Sequence, residues 1–379
     1  MRQCFSIGLF ALLVLSLPGC GGFRDTKPQL PGNLDTLCMP DYASGFEMYR
    51  YDSSTLLRIV NPWQGADSVS QWVFLSRDDE KPPKGFAGET IDVPVRRIVC
   101  MSSSYVAFLE ALGADSTICA ISGTGYIWSD KVRNRIAGGE IAEAGFDNSL
   151  NFEKLVALKP DVVFLYGLTG KNAVTDKLHE LGLKTVYIGD YVENNPLGRA
   201  EWITVFGEFT GRRELASTLF DSISNEYNRA KALVSGVEKR PEVMLNAPWQ
   251  DSWFVPGDRS YMVRLLEDAG GNYACRGVDS DQSRPISTET AFVAASQSDF
   301  WLSPGTATSL AELNAMNPRF GSIPPVRNGN VYNNNARQTP AGGSDFWESA
   351  VVRPDVVLRD LRTILSGGSE PTFYYKRLE

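Results

Sequence analysis

Residues 150–164 read LNFEKLVALKPDVVF, and their pattern indicates the fold class. The spacing of its apolar residues predicts a helix over residues 151–158, which Lys159 and Pro160 end. A short apolar run over residues 161–166 then predicts a buried strand. A helix that leads directly into a buried strand is typical of a βαβ unit, in which neighbouring strands run parallel.

The same alternation of strands and helices continues on both sides of this stretch. It predicts a first α/β lobe over residues 96–195 and a second over residues 237–379. The first lobe has predicted strands 97–101, 117–122, 161–166 and 184–188, and helices 105–112, 151–158 and 173–181. The second has predicted strands 242–246, 253–255, 299–302 and 330–333, and helices 261–269, 288–295 and 345–365.

Residues 196–236 interrupt the alternation. Apolar residues recur there at three- and four-residue spacing from Trp202 to Tyr227, which predicts a long linking helix with a break near Gly211. The expected fold class is therefore α/β, with two α/β lobes joined by a long helix. In such sheets ligands bind in the crevice outside the carboxyl ends of the strands, so the loops there are the expected ligand contacts.

The first twenty residues, MRQCFSIGLFALLVLSLPGC, predict export from the cytoplasm. Their apolar run has the length of a signal peptide and is too short for an ordinary membrane-spanning helix. The run ends at Leu17-Pro18-Gly19-Cys20, which resembles a bacterial lipobox in which Cys20 is lipidated; a plain signal peptide is the alternative. No acidic cluster follows Cys20, which favours a periplasm-facing lipid anchor on a bacterial membrane.

Two further segments precede the first lobe. Residues 21–41 are rich in Gly, Pro and polar residues, which indicates a tether. Residues 42–95 contain two strand-like stretches, 55–60 and 71–75, followed by a charged loop, and they predict a small β extension and a linker. No role for this extension follows from the sequence.

The composition excludes several classes of protein. The chain has 379 residues, a formal net charge of −8 and one histidine. The acidic balance argues against a nucleic-acid partner, whose phosphates need an opposing basic face. A multi-histidine metal site cannot be built, and His179, on a predicted helix, is expected at the solvated surface. Cys100 and Cys119 lie at similar depths in successive predicted strands, so a disulfide and two buried thiols are both open.

Four stretches together resemble a known family. They are residues 97–113, 150–164, 177–186 and 344–361. They are similar to segments of class III periplasmic binding proteins, the substrate-binding proteins of ABC importers for iron–siderophore complexes, haem and vitamin B12. The resemblance implies a rigid helix between two lobes and a shallow cleft that closes little. It also implies a monomer without enzyme activity or resident cofactor that delivers a metal chelate to a permease, an iron–siderophore first and a corrinoid or haem as alternatives.

Two glutamates are candidates for contact with that permease. Glu153 and Glu289 each lie near the first turn of a predicted helix, where an acidic residue can complete a capping box or favour the helix dipole. In the family that the chain resembles, glutamates at matching positions form salt bridges with permease arginines. The resemblance therefore implies docking at both residues, and capping remains the alternative.

The candidate ligand contacts follow the predicted strands. Aromatic side chains there can lie flat against a planar chelate, and arginines can neutralise its carboxylates or catecholates. Each aromatic residue taken alone could equally belong to the core. The candidates are Ser103, Ser104, Tyr126, Trp128, Asp147 and Tyr166 in the first lobe, and Asn246, Trp249, Arg284 and Arg337 in the second.

Three other functions stay open at this stage. Capture of bare ferric iron by Tyr and Asp needs no histidine, whereas zinc or manganese capture usually recruits several. An enzyme is disfavoured because the sequence holds no G-x-S-x-G, H-E-x-x-H, P-loop or G-x-G-x-x-G motif, although serines 102–104 at a strand–helix turn could mimic a nucleophile. The third is a lipoprotein that stores or passes on a chelate without a permease.

Overall fold

A computed structural model describes residues 35–146, 149–167, 173–234, 239–249, 252–277 and 279–379. Over these residues the chain forms an N-terminal β extension, two α/β lobes and a helical connector between the lobes. Cys20 with the predicted signal peptide, and Asp147, lie outside the described residues. None of the described helices combines the length and the apolar character that crossing a membrane requires.

The N-terminal extension is a sheet of five strands that lie side by side in chain order. The strands are β1 (Asp35–Cys38), β2 (Phe46–Tyr51), β3 (Ser54–Val60), β4 (Ser70–Ser76) and β5 (Glu89–Asp92). The two strand-like stretches of the sequence correspond to β3 and β4. The prediction of a tether over residues 21–41 is wrong at its C-terminal end. There, β1 is the edge strand of this sheet and pairs antiparallel with β2.

Three glutamates, one just before the connector and two within it, hold the extension in place. The Glu201 carboxylate accepts hydrogen bonds from three consecutive backbone N–H groups, those of residues 41–43, each at 2.8 Å. Glu193 accepts from the backbone N–H groups of residues 44 and 45. Glu208 pairs with an arginine that directly follows β4. Because hydrogen bonds to a carboxylate are among the stronger ones, the extension is a fixed part of the fold.

The single histidine lies where the extension meets the N-terminal lobe. Nε2 of His179 is 2.7 Å from Oγ1 of Thr185 and 3.3 Å from a carboxylate oxygen of Glu89 in β5. The expectation of His179 at the solvated surface is met only in part, because β5 covers one side of the imidazole and leaves the side chain 34% exposed.

The N-terminal lobe surrounds a sheet whose strands all run parallel, as the sequence predicts. Its strands are β6 (Ile98–Cys100), β7 (Ile118–Ile121), β8 (Ala142–Glu143), β9 (Val162–Leu165) and β10 (Thr185–Tyr187), in the spatial order β10-β9-β6-β7-β8. Its helices are α1 (Ser103–Ala111), α2 (Asp130–Ala137), α3 (Phe152–Leu158) and α4 (Ala173–Glu180). Of the two alternatives for Cys100 and Cys119, the structure shows two buried free thiols and not a disulfide.

Three helices connect the lobes: α5 (Pro196–Glu201), α6 (Ile203–Thr210) and α7 (Arg213–Ala232). The predicted break is present, since Gly211 caps α6 with a φ of 70°, a left-handed conformation that glycine adopts without strain. The prediction of one linking helix over residues 196–236 is wrong in one respect. Helix α6 is largely apolar and buried in the core of the N-terminal lobe, whereas α5 and α7 each contribute residues to both cores.

The C-terminal lobe is built on a second, mainly parallel sheet and a smaller antiparallel one. The main sheet has the spatial order β14 (Asn272–Tyr273), β11 (Glu242–Leu245), β16 (Phe300–Leu302), β17 (Val331–Asn333) and β18 (Lys376–Arg377). The smaller sheet has the order β12 (Pro248–Trp249), β13 (Ser252–Val255) and β15 (Arg284–Ser287). The helices packed on them are α8 (Tyr261–Asp268), α9 (Thr288–Ser296), α10 (Leu310–Met316) and α11 (Pro324–Arg327).

The last predicted helix, over residues 345–365, is in fact broken. The segment forms α12 (Asp345–Glu348), a 3₁₀ turn (Ser349–Val352) and α13 (Pro354–Leu365). Pro354 opens α13 because it lacks an N–H group and cannot continue the preceding turn. The break lets the 3₁₀ turn pack in the core of the N-terminal lobe while α13 packs in that of the C-terminal lobe. The chain thus crosses between the lobes a second time.

Candidate functional site

A cavity of about 280 Å³ lies between the lobes, beside the loops that follow their strands. Its lining combines amides, hydroxyls, aromatic rings and carboxylates. The lining residues are Gln64, Tyr191, Val192, Glu193, Asn194, Asn246, Pro256, Ser260, Tyr261, Met262, Asp281, Ser283 and Trp347. This position is the crevice expected for sheets with this topology.

The N-terminal lobe contributes a pair of tyrosines to the cavity region. Tyr191 follows β10, and its ring centroid lies 4.4 Å from that of Tyr166, which follows β9. The Tyr191 hydroxyl donates a hydrogen bond to the carbonyl of Gly167 and accepts one of 3.4 Å from the N–H group of Gln64. Burial raises the pKa of Tyr191 to about 12 against the opposing effect of the Gln64 N–H group. The phenol is therefore neutral at physiological pH.

The C-terminal lobe contributes an amide and a hydroxyl. Asn246 directly follows β11 in the left-handed conformation, with a φ of 63°, which asparagine tolerates better than most residues. The side-chain Nδ2 of Asn246 donates to the backbone carbonyl of Phe254 at 3.1 Å. The backbone carbonyl of Asn246 accepts a hydrogen bond of 2.6 Å from the Trp301 indole. Ser260 has a buried Oγ without a hydrogen-bond partner in the described part of the chain. This hydroxyl is therefore available to a polar ligand.

An ion pair beside the cavity joins the N-terminal lobe to the connector, and its arginine stacks on a ring of the C-terminal lobe. Nη2 of Arg199 lies 3.4 Å from a carboxylate oxygen of Asp190, and its guanidinium carbon lies 4.8 Å from the ring centroid of Tyr261 in α8. Burial raises the pKa of Asp190, although the charge of Arg199 opposes that rise. The Arg199 charge is thus already paired within the protein and stacked on a cavity-lining ring.

The lobes also meet at a second place, formed by residues 123–129 and residues 337–352, which we call the interlobe junction. The carboxylate of Glu348 accepts hydrogen bonds from the backbone N–H groups of Trp128 at 2.7 Å and Ser129 at 2.9 Å. Burial raises the pKa of Glu348 to about 7, although these two donors favour the charged form. One carboxyl group therefore joins two segments that are 219 or more residues apart in sequence.

Arg337 belongs to this junction. Its guanidinium carbon lies 4.9 Å from the ring centroid of Trp128 and 4.1 Å from that of Phe373. Its Nε donates to a carboxylate oxygen of Asp345 at 2.6 Å. Two aromatic rings and a buried carboxylate thus surround the Arg337 cation, so its charge stabilises the junction.

The structure places the predicted ligand contacts in different regions. Asn246 lines the cavity, and Tyr166 contacts the cavity-lining Tyr191. Ser103 contacts the junction, where its hydroxyl donates to the carbonyl of Trp347. The others are Tyr126, Trp128 and Arg337 in the interlobe junction, Ser104 buried beside Ser102, Arg284 in β15, Trp249 with its backbone in β12, and Asp147 outside the described residues.

Several residues that line the cavity are not among the ligand contacts predicted from the sequence. Tyr191 follows a correctly predicted strand, so the rule that strand-end loops bind ligands would have found it. Trp347, which is 53% exposed, lies in a segment that was read as continuous helix. Gln64 belongs to the extension, and no local pattern indicates that a loop of this sheet reaches the cavity. The described residues contain no group of three or more His, Cys, Asp or Glu side chains that could hold a metal ion.

The two docking candidates are both exposed, in the first turns of α3 and α9. The capping-box alternative is wrong for both. The side chains of Asn151 and Ser287 cap these helices by accepting the N–H group three residues on, and neither Glu153 nor Glu289 occupies that third position. A favourable interaction with the helix dipole remains for each glutamate.

These features define a class of protein: two α/β lobes on a helical connector, with a cavity of about 280 Å³ at the strand ends between them. Residues 98–337 match the family model for periplasmic binding proteins, and the chain belongs to this family. The family is one of binding proteins, so the chain is a binding protein and not an enzyme.

Individual proteins are also similar to this chain in sequence or in fold. An uncharacterized lipoprotein of Methanocaldococcus jannaschii is 26% identical over 399 residues, which cover 96% of this chain and 93% of the relative. A periplasmic haem-binding protein from Pseudomonas aeruginosa shares the fold with a TM-score of 0.58 at 17% identity, over 75% of this chain and 98% of that one. The vitamin B12 binding protein BtuF of Vibrio cholerae does so with a TM-score of 0.52 at 13% identity, over 73% and 99%.

Proposed function

We propose that the protein is the substrate-binding component of an ABC importer, and that it captures a metal chelate in the cavity between its lobes. The observation that carries the proposal is the cavity itself, which lies at the strand ends of two parallel sheets in a member of the periplasmic binding protein family. Solved structures with the same fold include proteins described as binding haem and vitamin B12. An organic chelate is the ligand class that these similarities favour.

Among chelates we favour a neutral or cationic one with amide-type groups, such as an iron–hydroxamate siderophore, with a corrinoid as the alternative. The cavity offers amides of Gln64 and Asn246, the hydroxyl of Ser260 and the carboxylate of Asp281. The nearby cation of Arg199 is paired with Asp190. Haem carries two carboxylates that call for cations, so it ranks below these two.

The location follows from the N-terminal sequence. We propose that Cys20 is lipidated after signal cleavage and that the anchored protein faces the periplasm. The 26% identical relative is itself described as a lipoprotein.

Binding is tested with the full chain and three chelates: a ferric trihydroxamate, cyanocobalamin and haemin. We expect one of them to quench the tryptophan fluorescence with a Kd of about 1 μM or tighter. Native mass spectrometry and the visible absorption spectrum of protein purified from its host would identify a chelate already bound. If none of the three chelates binds and none is carried from the host, the proposed function is wrong.

We further propose that Glu153 and Glu289, one on each lobe, dock on arginines of the permease. Both side chains are exposed, and neither is needed as a helix cap. The double substitution Glu153→Lys/Glu289→Lys should lower chelate uptake by cells at least about tenfold, because each reversal replaces attraction by repulsion. Chelate affinity should stay unchanged, and the free energy of unfolding should fall by only about 1 kcal/mol, because lysine reverses the helix-dipole interaction of each glutamate.

The control for this prediction is Glu214→Lys, which reverses an exposed acidic residue in the first turn of α7. It should leave uptake as it is in the wild type. Uptake that survives the double reversal would show that these glutamates do not dock, while leaving chelate capture itself intact.

A further inference from the structure

We infer that the β extension forms part of the ligand site and that Gln64 is a specificity-determining contact for the bound chelate. This inference rests on the proposed function. Gln64 lies in the loop between β3 and β4 and lines the cavity together with residues of both lobes. The extension ends at β5, before the part of the chain that matches the family model, which begins at residue 98. It therefore adds to the cavity a wall that the matched region does not supply.

The loop is attached to the N-terminal lobe at several points. Trp63 forms a backbone bridge with Gly167, and its ring centroid lies 5.1 Å from that of Tyr187 at the end of β10. The N–H group of Gln64 donates to the hydroxyl of Tyr191 at 3.4 Å. The loop thus contacts both of the segments that carry the tyrosine pair of the cavity.

Two successive hydrogen bonds also link the start of the loop to Glu193, which lies just before the connector. Glu193, which itself lines the cavity, accepts from the N–H group of Gly45 at 2.8 Å. The carbonyl of Gly45 in turn accepts from the N–H group of Val60, the last residue of β3, at 2.8 Å. Because the loop begins at the next residue, Gln64 is held at the cavity before any ligand arrives, which lowers the entropic cost of binding.

The chemistry of Gln64 matches the proposed ligand class. Gln64 is exposed and lines the cavity. Its side-chain primary amide offers both a hydrogen-bond donor and an acceptor. Next to it lie the neutral phenol of Tyr191 and, across the cavity, the amide of Asn246. These groups suit the carbonyl and amide edges of a hydroxamate chelate or a corrinoid.

The test uses two substitutions at Gln64 in the full chain, measured by fluorescence titration with ferric trihydroxamate, cyanocobalamin and haemin. Gln64→Ala should weaken binding of the preferred chelate about tenfold, the effect of one lost hydrogen bond. Gln64→Trp should weaken it at least about a hundredfold, because the indole would occupy part of the 280 Å³ cavity. Asp67→Trp is the matched control, since Asp67 is exposed in the same loop and does not line the cavity.

The outcomes separate this inference from the function on which it rests. Loss of affinity in both Gln64 variants, with wild-type affinity in Asp67→Trp and unchanged urea midpoints in all three, supports the inference. Chelate binding that is unaffected by both Gln64 substitutions overturns it and leaves the proposed function standing. If the wild-type chain binds none of the three chelates, the proposed function fails and this inference fails with it.

Discussion

Two junctions hold this molecule together, and each is centred on a buried glutamate. Glu208 joins the β extension to the connector, and Glu348 joins the two lobes to each other. The two residues are almost equally buried, at 1% and 2% exposure. Their pKa values nevertheless move in opposite directions, so the depth of burial is not what decides the ionisation of either group.

The neighbours of each carboxylate explain the difference. Burial alone would raise the pKa of Glu208, but hydrogen bonds from Arg213 and Thr55 and the charges of Arg213 and Arg77 outweigh it and lower the pKa. At Glu348, burial is reinforced by the nearby carboxylates of Asp345 and Glu110, and the pKa rises to about 7. The extension is therefore attached by a permanent ion cluster, whereas the lobes meet at a group that titrates near neutral pH.

The largest effect is expected at the extension. Glu208→Ala leaves Arg77 and Arg213 without their carboxylate partner, and the loss should lower the free energy of unfolding by about 4 kcal/mol. Urea denaturation at pH 7 measures this loss. The control is Glu47→Ala, which removes a more exposed ion pair with Arg58 from the same sheet and should cost about 1 kcal/mol or less. Equal losses in the two variants would contradict the assigned role of Glu208.

The second effect is a pH dependence of opposite sign at the two glutamates. Because the pKa of Glu348 is raised from 4.5 to about 7, its favourable contribution is complete below pH 4.5 and is lost as pH rises through 7. Relative to Glu348→Gln, the wild type should lose about 3 kcal/mol of stability between pH 4.5 and pH 8. Denaturation at several pH values measures the difference.

The same experiment on Glu208 provides the contrast. Its pKa is lowered, so its favourable contribution is complete above pH 4.5 and is lost as the pH falls through the lowered value. The advantage of the wild type over Glu208→Gln should therefore shrink in acid. If both pairs of proteins showed the same slope with pH, the neighbouring charges would not be the cause of the difference.

The smallest effect is expected where glycines allow close backbone contact at the two junctions. A Cβ atom on Gly343 would lie 2.1 Å from the carbonyl oxygen of Tyr126 in the opposite lobe, and one on Gly198 would lie 2.8 Å from that of Tyr42. Gly343→Ala should cost about 2 kcal/mol of unfolding free energy and Gly198→Ala about 1 kcal/mol. Thermal unfolding compares them, and a cost below 0.5 kcal/mol for Gly343→Ala would show that the lobes can separate there freely.

The sequence predicted the elements of both lobes well and the ends of the chain less well. The alternation around residues 150–164 led to the correct parallel sheet because a buried strand and an amphipathic helix each leave a pattern in adjacent residues. Strand β1 has only four residues and an exposed start, so its composition reads as a tether. Likewise, Pro354 marks the break between α12 and α13, but the apolar residues on both sides continue the pattern of one helix.

The sequence predicted a site in the loops that follow the strands, but only some of its residues line the cavity. Asn246 and the neighbourhood of Tyr166 were found because they follow strands. Trp128 and Arg337 also lie in loops that follow strands, where ligand contacts are expected. In the structure they instead contact each other in the interlobe junction. Their residue types suit a ligand and an internal contact equally well, and only the position of the second lobe distinguishes the two.

Local sequence patterns account for the fold class, the lobed organisation, the exclusion of multi-histidine chemistry and the place of Glu153 and Glu289 in the first turn of a helix. These properties depend on periodicity, composition and position within a helix, all of which are local. Three features became evident only in the folded chain: the extension reaches the cavity, α6 belongs to the N-terminal lobe, and Glu348 joins the lobes. Each of these depends on contacts between distant segments, such as the 127 residues that separate Gln64 from Tyr191, and such contacts leave no periodic pattern in the chain.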